Sequence, residues 1–314
     1  MKNKFLYTYS VVISMHEFRK GLLGLAVGDA LGIPLVNKDR SELLSNPVTG
    51  MISGGEYDLP TGSWGLPTEI TLAIKESLDK HGHLTKESIM NRLYDVSRGV
   101  YSIRKDVFTL GKITQRAIDR YRDGMDIDKC GIIDLNENGS GALLMMYPIA
   151  FYAYENKLQE KEIYELVKGV TELTHNHEIN LIGCYIYTMY LVFLLRGKDK
   201  YASLSMLQCC DFSFFKTEYL QLYYRILKTS LKEVNIDNIR TDGFIVYIVE
   251  VSLYVLLNSN NYIQSVLGAI NLGGKTNIVS SLVGCMAAIL YGEDDIPDSW
   301  VQQLRGKDIL DKFM

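Results

Sequence analysis

Phe18-Arg-Lys-Gly-Leu-Leu-Gly-Leu-Ala-Val-Gly-Asp-Ala-Leu-Gly32 is the stretch that sets the reading of the chain. Leu22, Leu25, Ala26 and Ala30 recur at spacings of three and four, the period of one helix face. Gly21, Gly24, Gly28 and Gly32 fall on a second row of the same helix. Each glycine costs a helix about 1 kcal/mol against alanine, so a row of them predicts close packing against another backbone.

Working outward, the helical period dominates. Ile70 to Leu78 repeats it, and Thr85 caps a further helix carrying Ile89, Leu93 and Val96. Helices are predicted over 107–122, 141–155, 160–175, 179–196, 201–211, 214–232, 243–258, 260–271 and 276–291. Two alternating runs joined by a hairpin signal are lacking. The β-branched run from Phe244 continues through Glu250 to Leu257, which favours a helix over a strand. The expected fold is all-α, one compact multi-helix domain over residues 15–314 behind an N-terminal extension of residues 1–14. The long Gly/Pro/Asn-rich segment 33–63 and the segments 123–140 and 271–276 are the expected functional loops.

Composition excludes several classes. The 314 residues are 47% hydrophobic, enough for a large core. A net charge of −4 argues against a general nucleic-acid binder. The five cysteines are odd in number and form no CxxC pair, so neither a disulfide framework nor a zinc knuckle is expected, and a reducing cytoplasm fits. Lys2 and Lys4 precede an apolar stretch without a cleavage signal, which does not read as a signal peptide. The run Leu181–Leu195 is short for a bilayer span and reads as a core helix, so no membrane partner is expected.

Four collinear segments between residues 18 and 300 resemble the ADP-ribosylglycohydrolase family. They are Gly24-Leu-Ala-Val-Gly-Asp-Ala-Leu-Gly-Ile-Pro34, Val107 to Ile118, Asn138 to Tyr152 followed by Leu173-Thr-His-Asn-His177, and Asn271-Leu-Gly-Gly-Lys-Thr-Asn277 leading to Trp300. The resemblance implies an all-α fold with an ADP-ribose cleft, and a hydrolase using two magnesium or manganese ions. It also locates the metal-ligand positions, and there the chain departs. The motif glutamate falls on Val36, the Trp-Ser/Thr-Asp-Asp element on Trp64, Gly65, Leu66 and Pro67, and the Asp-Thr-Asp-Thr element on Lys275, Thr276, Asn277 and Ile278. Hard dications need oxygen ligands, so no metal and no cofactor is expected here. Lys275 is expected to occupy vacated volume beside a carboxylate, with Asp29 as candidate partner and Glu69 or a carboxylate of the N-terminal helix as equal alternatives.

The resemblance implies that Asn138, Gly139, Ser140 and Gly141 approach the diphosphate and that His175 lies near the adenosine side. A glycine loop offers backbone N–H groups to phosphate. The family arginine after this loop is absent. Trp64 reads as a packed aromatic beside the cleft or as a stacking platform, and Thr68 as a helix cap. Asp29 and Glu69 are the acid candidates for catalysis. His175 and His177, at i and i+2, share no helix face, so zinc is not expected, and His81-Gly82-His83 reads as an exposed turn. The expected function is a non-catalytic binder of ADP-ribose or an ADP-ribosylated protein. An active hydrolase with metal-independent chemistry and an interaction protein without a nucleotide ligand are the alternatives.

Overall fold

The computed structural model describes residues 3–81, 85–104 and 110–314, with side chains from residue 16 onward except those of 80 and 81. The turn at Gly82-His83 and the first residues of the Val107 segment lie outside them. Among the described residues the fold is all-α, with no strand and only isolated bridges such as Gly139–Phe244.

The helices of nine or more residues are α1 (Asn3–Gly32), α2 (Leu66–His81), α3 (Lys86–Ser97), α4 (Lys112–Arg122), α5 (Met146–Glu155) and α6 (Glu160–Thr171). There follow α7 (Glu178–Leu195), α8 (Lys200–Gln208), α9 (Ile245–Leu257), α10 (Tyr262–Ile270) and α11 (Thr276–Tyr291). One continuous core runs from Phe18 to Leu310.

Gly24, Gly28 and Gly32 of α1 lie against α11, while Gly21 lies against Tyr147 of α5. A Cβ on Gly24 would stand 2.4 Å from the Gly284 carbonyl oxygen, and one on Gly32 would stand 2.6 Å from Cα of Asn277. Hydroxyl groups fill the seam. Tyr262 donates to the Gly24 carbonyl at 2.7 Å, Ser280 to Gly28 at 2.6 Å and Thr276 to Gly32 at 2.7 Å. Close approach and these bonds offset the low helix propensity of the row.

α7 has the length and apolar content of a membrane span, with a mean hydropathy of 1.6, but 94% of it is buried inside the protein. It is the central core helix, as its tyrosine content suggests: Tyr187 and Tyr190 each bond a backbone carbonyl, of Leu282 and Lys200. The expected helix over 214–232 is corrected. The chain forms Thr217–Leu220, a 3-10 turn Gln221–Tyr223 and Tyr224–Lys228. The buried Tyr223 hydroxyl is drawn onto the Ile179 carbonyl at 2.7 Å, and tightening the turn permits that reach. The expected helix over 141–155 opens as a 3-10 turn, Ser140–Met145, before α5.

Candidate functional site

The segment Gly273-Gly274-Lys275 folds back between two loops. Both glycines have φ +73°, and side chains there would strike the Lys38 carbonyl at 2.6 Å and the Thr241 carbonyl at 2.4 Å, so only glycine fits. Three backbone bonds lock the crossing: Asn37 N–H to the Gly274 carbonyl at 2.8 Å, Gly274 N–H to Lys38 at 3.0 Å and Lys275 N–H to Thr241 at 3.0 Å. Residues 37–40, 239–243 and 272–275 thereby surround an open cleft of about 490 Å³. Lys38, Arg40, Arg240 and Lys275 line it against Asp39 and Asp242. Lys38 is ion-paired with Glu42 and Arg240 with Asp242, each at 2.8 Å, so Lys275 is the cation at the cleft mouth left to attract an anionic ligand.

The position of Lys275 corrects the expectation that it pairs with Asp29 or Glu69. Its ammonium turns outward and donates to Asn37 Oδ1 at 2.9 Å. Its stem lies along Gly243, with Cε 3.6 Å from where a Cβ would stand. A strongly hydrated ammonium gains by staying at the cleft mouth rather than entering the interior.

Asp29 is fully buried and belongs to the helix ends. Its Oδ2 accepts from Gly65 N–H at 2.9 Å, Thr68 N–H at 3.1 Å and the Thr68 hydroxyl at 2.8 Å. It serves the N-terminus of α2, where unpaired amides and the helix dipole favour a carboxylate. Burial still pushes the carboxyl up to about 6, against the pull of these bonds. The expectation that Thr68 is the cap is corrected: Thr68 lies in the first turn, its N–H and hydroxyl both donate to Asp29, and the capping acceptor is Asp29.

Glu69 is also fully buried, and among the described residues neither carboxylate oxygen has a hydrogen-bond partner. Burial pushes it up to about 7, and the Asp29 charge adds to the rise. Asp29 Oδ1 is unpartnered as well. Of the degenerate positions, Val36 is half-buried, Gly65 and Pro67 are buried, Leu66 packs against the core, and Asn277 and Ile278 are half-buried at the start of α11. None offers a carboxylate. Thr276, whose hydroxyl binds the Gly32 carbonyl, is spent on packing. Among the described residues no three His, Cys, Asp or Glu side chains are grouped to hold a metal ion.

The glycine loop reaches the same region. Ser140 N–H donates to the Gly243 carbonyl at 3.1 Å, and Ile245 N–H to the Asn138 carbonyl at 3.0 Å, so the loop is tied to the segment around Gly243, although residues 138–141 do not themselves line the cleft. Asn138 is buried and its amide is consumed internally, donating to Leu135 at 2.6 Å and accepting from Asn180 at 2.9 Å. His175 sits behind this loop. It is 2% exposed, its Nδ1 is 2.8 Å from Thr174 Oγ1, and its Cε1 is 3.1 Å from where a Cβ on Gly141 would stand. Burial pushes its pKa down to about 3, so it is neutral. Its geometry supports the loop rather than presenting a free ring face. Trp64 is fully buried with Nε1–H bonded to the Arg305 carbonyl at 2.8 Å, which is the packed-aromatic arrangement.

Sequence reasoning missed Asn37, Arg240 and Thr241 as cleft residues. The signal available was Asp242-Gly243, a turn dipeptide directly before a helix, which marks the loop although not its partners.

Comparison with known proteins places these features in a family context. The ADP-ribosylglycohydrolase family model matches residues 14–314. An ADP-ribosylarginine hydrolase Tri1 of Pseudomonas putida (strain GB-1) is 27% identical over 296 residues, 93% of this chain and 75% of that protein. An ADP-ribosyl-[dinitrogen reductase] glycohydrolase of Rhodospirillum rubrum is 23% identical over 93% of this chain and 91% of its own. A solved structure described as an ADP-ribosylglycohydrolase-related protein complex superposes with a TM-score of 0.79 at 25% identity, covering 96% of both chains.

Proposed function

Since the chain belongs to the ADP-ribosylglycohydrolase family, we propose that it binds ADP-ribose or an ADP-ribosylated protein without hydrolysing it by the family's metal-assisted route. The observation that carries this reading is Lys275, an ammonium bonded to Asn37 at the mouth of the cleft. Two divalent ions polarise a substrate and position water only where carboxylate, hydroxyl and water oxygens surround them. Val36, Gly65, Leu66, Pro67, Lys275, Asn277 and Ile278 do not make such a donor set. The residues present do not fit the metal pair.

What remains suits a diphosphate. Lys275 supplies positive charge at the rim, beside Arg240 and Lys38, whose charges are shared with Asp242 and Glu42. Arg40 is fixed beneath by bonds to the Leu272 and Ile236 carbonyls at 3.1 Å and to the Ile239 carbonyl at 2.5 Å, so it braces the loop that forms the wall. Ser140, bonded to Gly243, and Gly141, packed on His175, stand behind that wall. We place the protein in the cytoplasm, consistent with its unpaired cysteines.

A thermal-shift titration with ADP-ribose tests the reading, since a ligand of the folded state raises its stability by mass action. The expected result is a saturable rise that persists in EDTA, with no ADP-ribose released from a modified protein in magnesium. Magnesium-dependent release would overturn it. A second reading, metal-independent hydrolysis, draws on Glu69, a fully buried acid raised to about 7 that does not line the cleft and would need the cleft to open toward it. Release that survives EDTA and disappears in Glu69→Gln would support that reading.

A further inference from the structure

We infer that a second pocket, between α8 and the segment Leu227–Lys232, binds a phosphomonoester carrying an apolar or aromatic body. It is open to solvent, holds about 540 Å³ and shares no lining residue with the Lys275 cleft. That volume lies in the usual range for small-molecule sites. The inference is independent of the ADP-ribose reading.

The floor is apolar. Leu204, Leu227, Leu231 and Leu257 line it, and each is at least nine-tenths buried. The rim is cationic: Lys228 and Lys232 line the pocket, and no carboxylate among the described residues does. Lys232 Nζ donates to the Tyr201 hydroxyl at 3.0 Å, and that hydroxyl donates onward to the Leu257 carbonyl at 3.1 Å.

A third ammonium stands behind Tyr201. Lys200 is 8% exposed, and its Nζ is held by neutral partners: the Leu256 carbonyl at 3.2 Å, the Ser259 carbonyl and the Tyr291 hydroxyl at 3.3 Å. The adjacent Asp199 carboxylate is committed to the N-terminus of α8, accepting from Tyr201 N–H at 2.8 Å and Ala202 N–H at 2.9 Å. The phenol therefore lies among ammonium groups. The Lys232 hydrogen bond holds the Tyr201 hydroxyl below the ordinary tyrosine range, with Lys200 and Lys232 charges in support.

Positive charge above an apolar floor selects a ligand with the opposite arrangement of both. A phosphomonoester carries about −1.5 to −2 at neutral pH and offers three acceptor oxygens. That matches two lysine ammoniums acting as point charges, whereas a carboxylate is better matched by the fork of an arginine.

Phenyl phosphate is the probe, titrated calorimetrically into the full chain with inorganic phosphate and benzoate as comparison arms. Phenyl phosphate is expected to bind saturably and about tenfold more tightly than either. The double variant Lys228→Glu/Lys232→Glu is expected to weaken it at least about tenfold, while Lys275→Ala leaves it unchanged. Should the double reversal fail to fold, Lys228→Ala/Lys232→Ala replaces it with the same direction of change. Phenolate absorbance of Tyr201, taken as wild type minus Tyr201→Phe, is expected to titrate at higher pH with the probe bound. Equal binding of inorganic phosphate or benzoate, binding that survives loss of both lysines, loss of binding in Lys275→Ala, an unmoved Tyr201 titration or no saturable binding would each overturn the inference.

Discussion

Gly28 leaves open the volume that the Ser280 backbone carbonyl occupies: a Cβ on Gly28 would lie 2.1 Å from that oxygen. The same contact brings Ser280 Oγ to 2.6 Å from the Gly28 carbonyl. The obstruction is backbone rather than the end of a flexible side chain, so α1 and α11 must separate to admit a methyl group. Gly28→Ala is expected to destabilise the protein by about 3 kcal/mol. Chemical denaturation measures this. A loss below about 0.5 kcal/mol, the ordinary scale for an exposed site, would show that the seam is soft.

Asp29 is a capping group with a second consequence for pH. Asp29→Ala leaves Gly65 and Thr68 N–H and the Thr68 hydroxyl without their acceptor. The expected cost is about 2–4 kcal/mol. Asp29→Asn keeps an acceptor oxygen in place and is expected to cost less than half as much, least near pH 5, where the native carboxyl is itself largely protonated. Urea midpoints of both variants at pH 5 and pH 8 are the measurement, and a larger loss for the amide than for alanine would contradict the capping role.

Glu69 ties stability to pH in one direction. Its pKa is about 7 in the folded protein against an ordinary 4.5, so the folded state retains the proton longer. The stabilisation is complete below the ordinary value and is lost as pH rises through about 7. At one pKa unit per 1.4 kcal/mol the loss by pH 8 is about 3 kcal/mol. Asp29, raised to about 6, acts in the same direction over a lower window. Glu69→Gln cannot ionise and is expected to be more stable than the native chain at pH 8 while nearly matching it at pH 5. Parallel stability curves for the two proteins would refute a buried, protonatable Glu69.

The all-α class and the α1 helix were legible because periodicity at three and four residues is a local property. The glycine row even foretold a close neighbour, although which neighbour depended on a contact between Gly28 and Ser280 far apart in sequence. The cleft was harder to read. Lys275, Val36 and the glycine loop stood out as motif positions; of these Lys275 lines the cleft, while the glycine loop is tied to it only through Gly243. The direction of the Lys275 side chain was not legible. It depends on Asn37, which offers an acceptor from a φ of +64° in a long irregular loop. The break in the 214–232 helix was hidden for a similar reason, since Tyr223 answers to the Ile179 carbonyl and not to its sequence neighbours.

His175 gives the opposite pH dependence and allows the two sources to be separated. Burial holds its pKa at about 3 against an ordinary 6.5, so it is neutral in the folded protein and charges only on unfolding. For a base lowered in this way the stabilisation is present above the ordinary value and lost as pH falls below it. Between pH 6.5 and 5 that loss is about 2 kcal/mol. His175→Gln stays neutral throughout and is expected to remove this acid-side loss, flattening stability between pH 6.5 and 5 relative to the native chain. It also removes the ring packed beneath Gly141, so ADP-ribose affinity measured at pH 7.5 is expected to fall through loosening of the loop. The pH slope reports the buried imidazole and the affinity reports its support of Gly141. A native slope retained in His175→Gln would place the imidazole in water, whatever happens to the ligand.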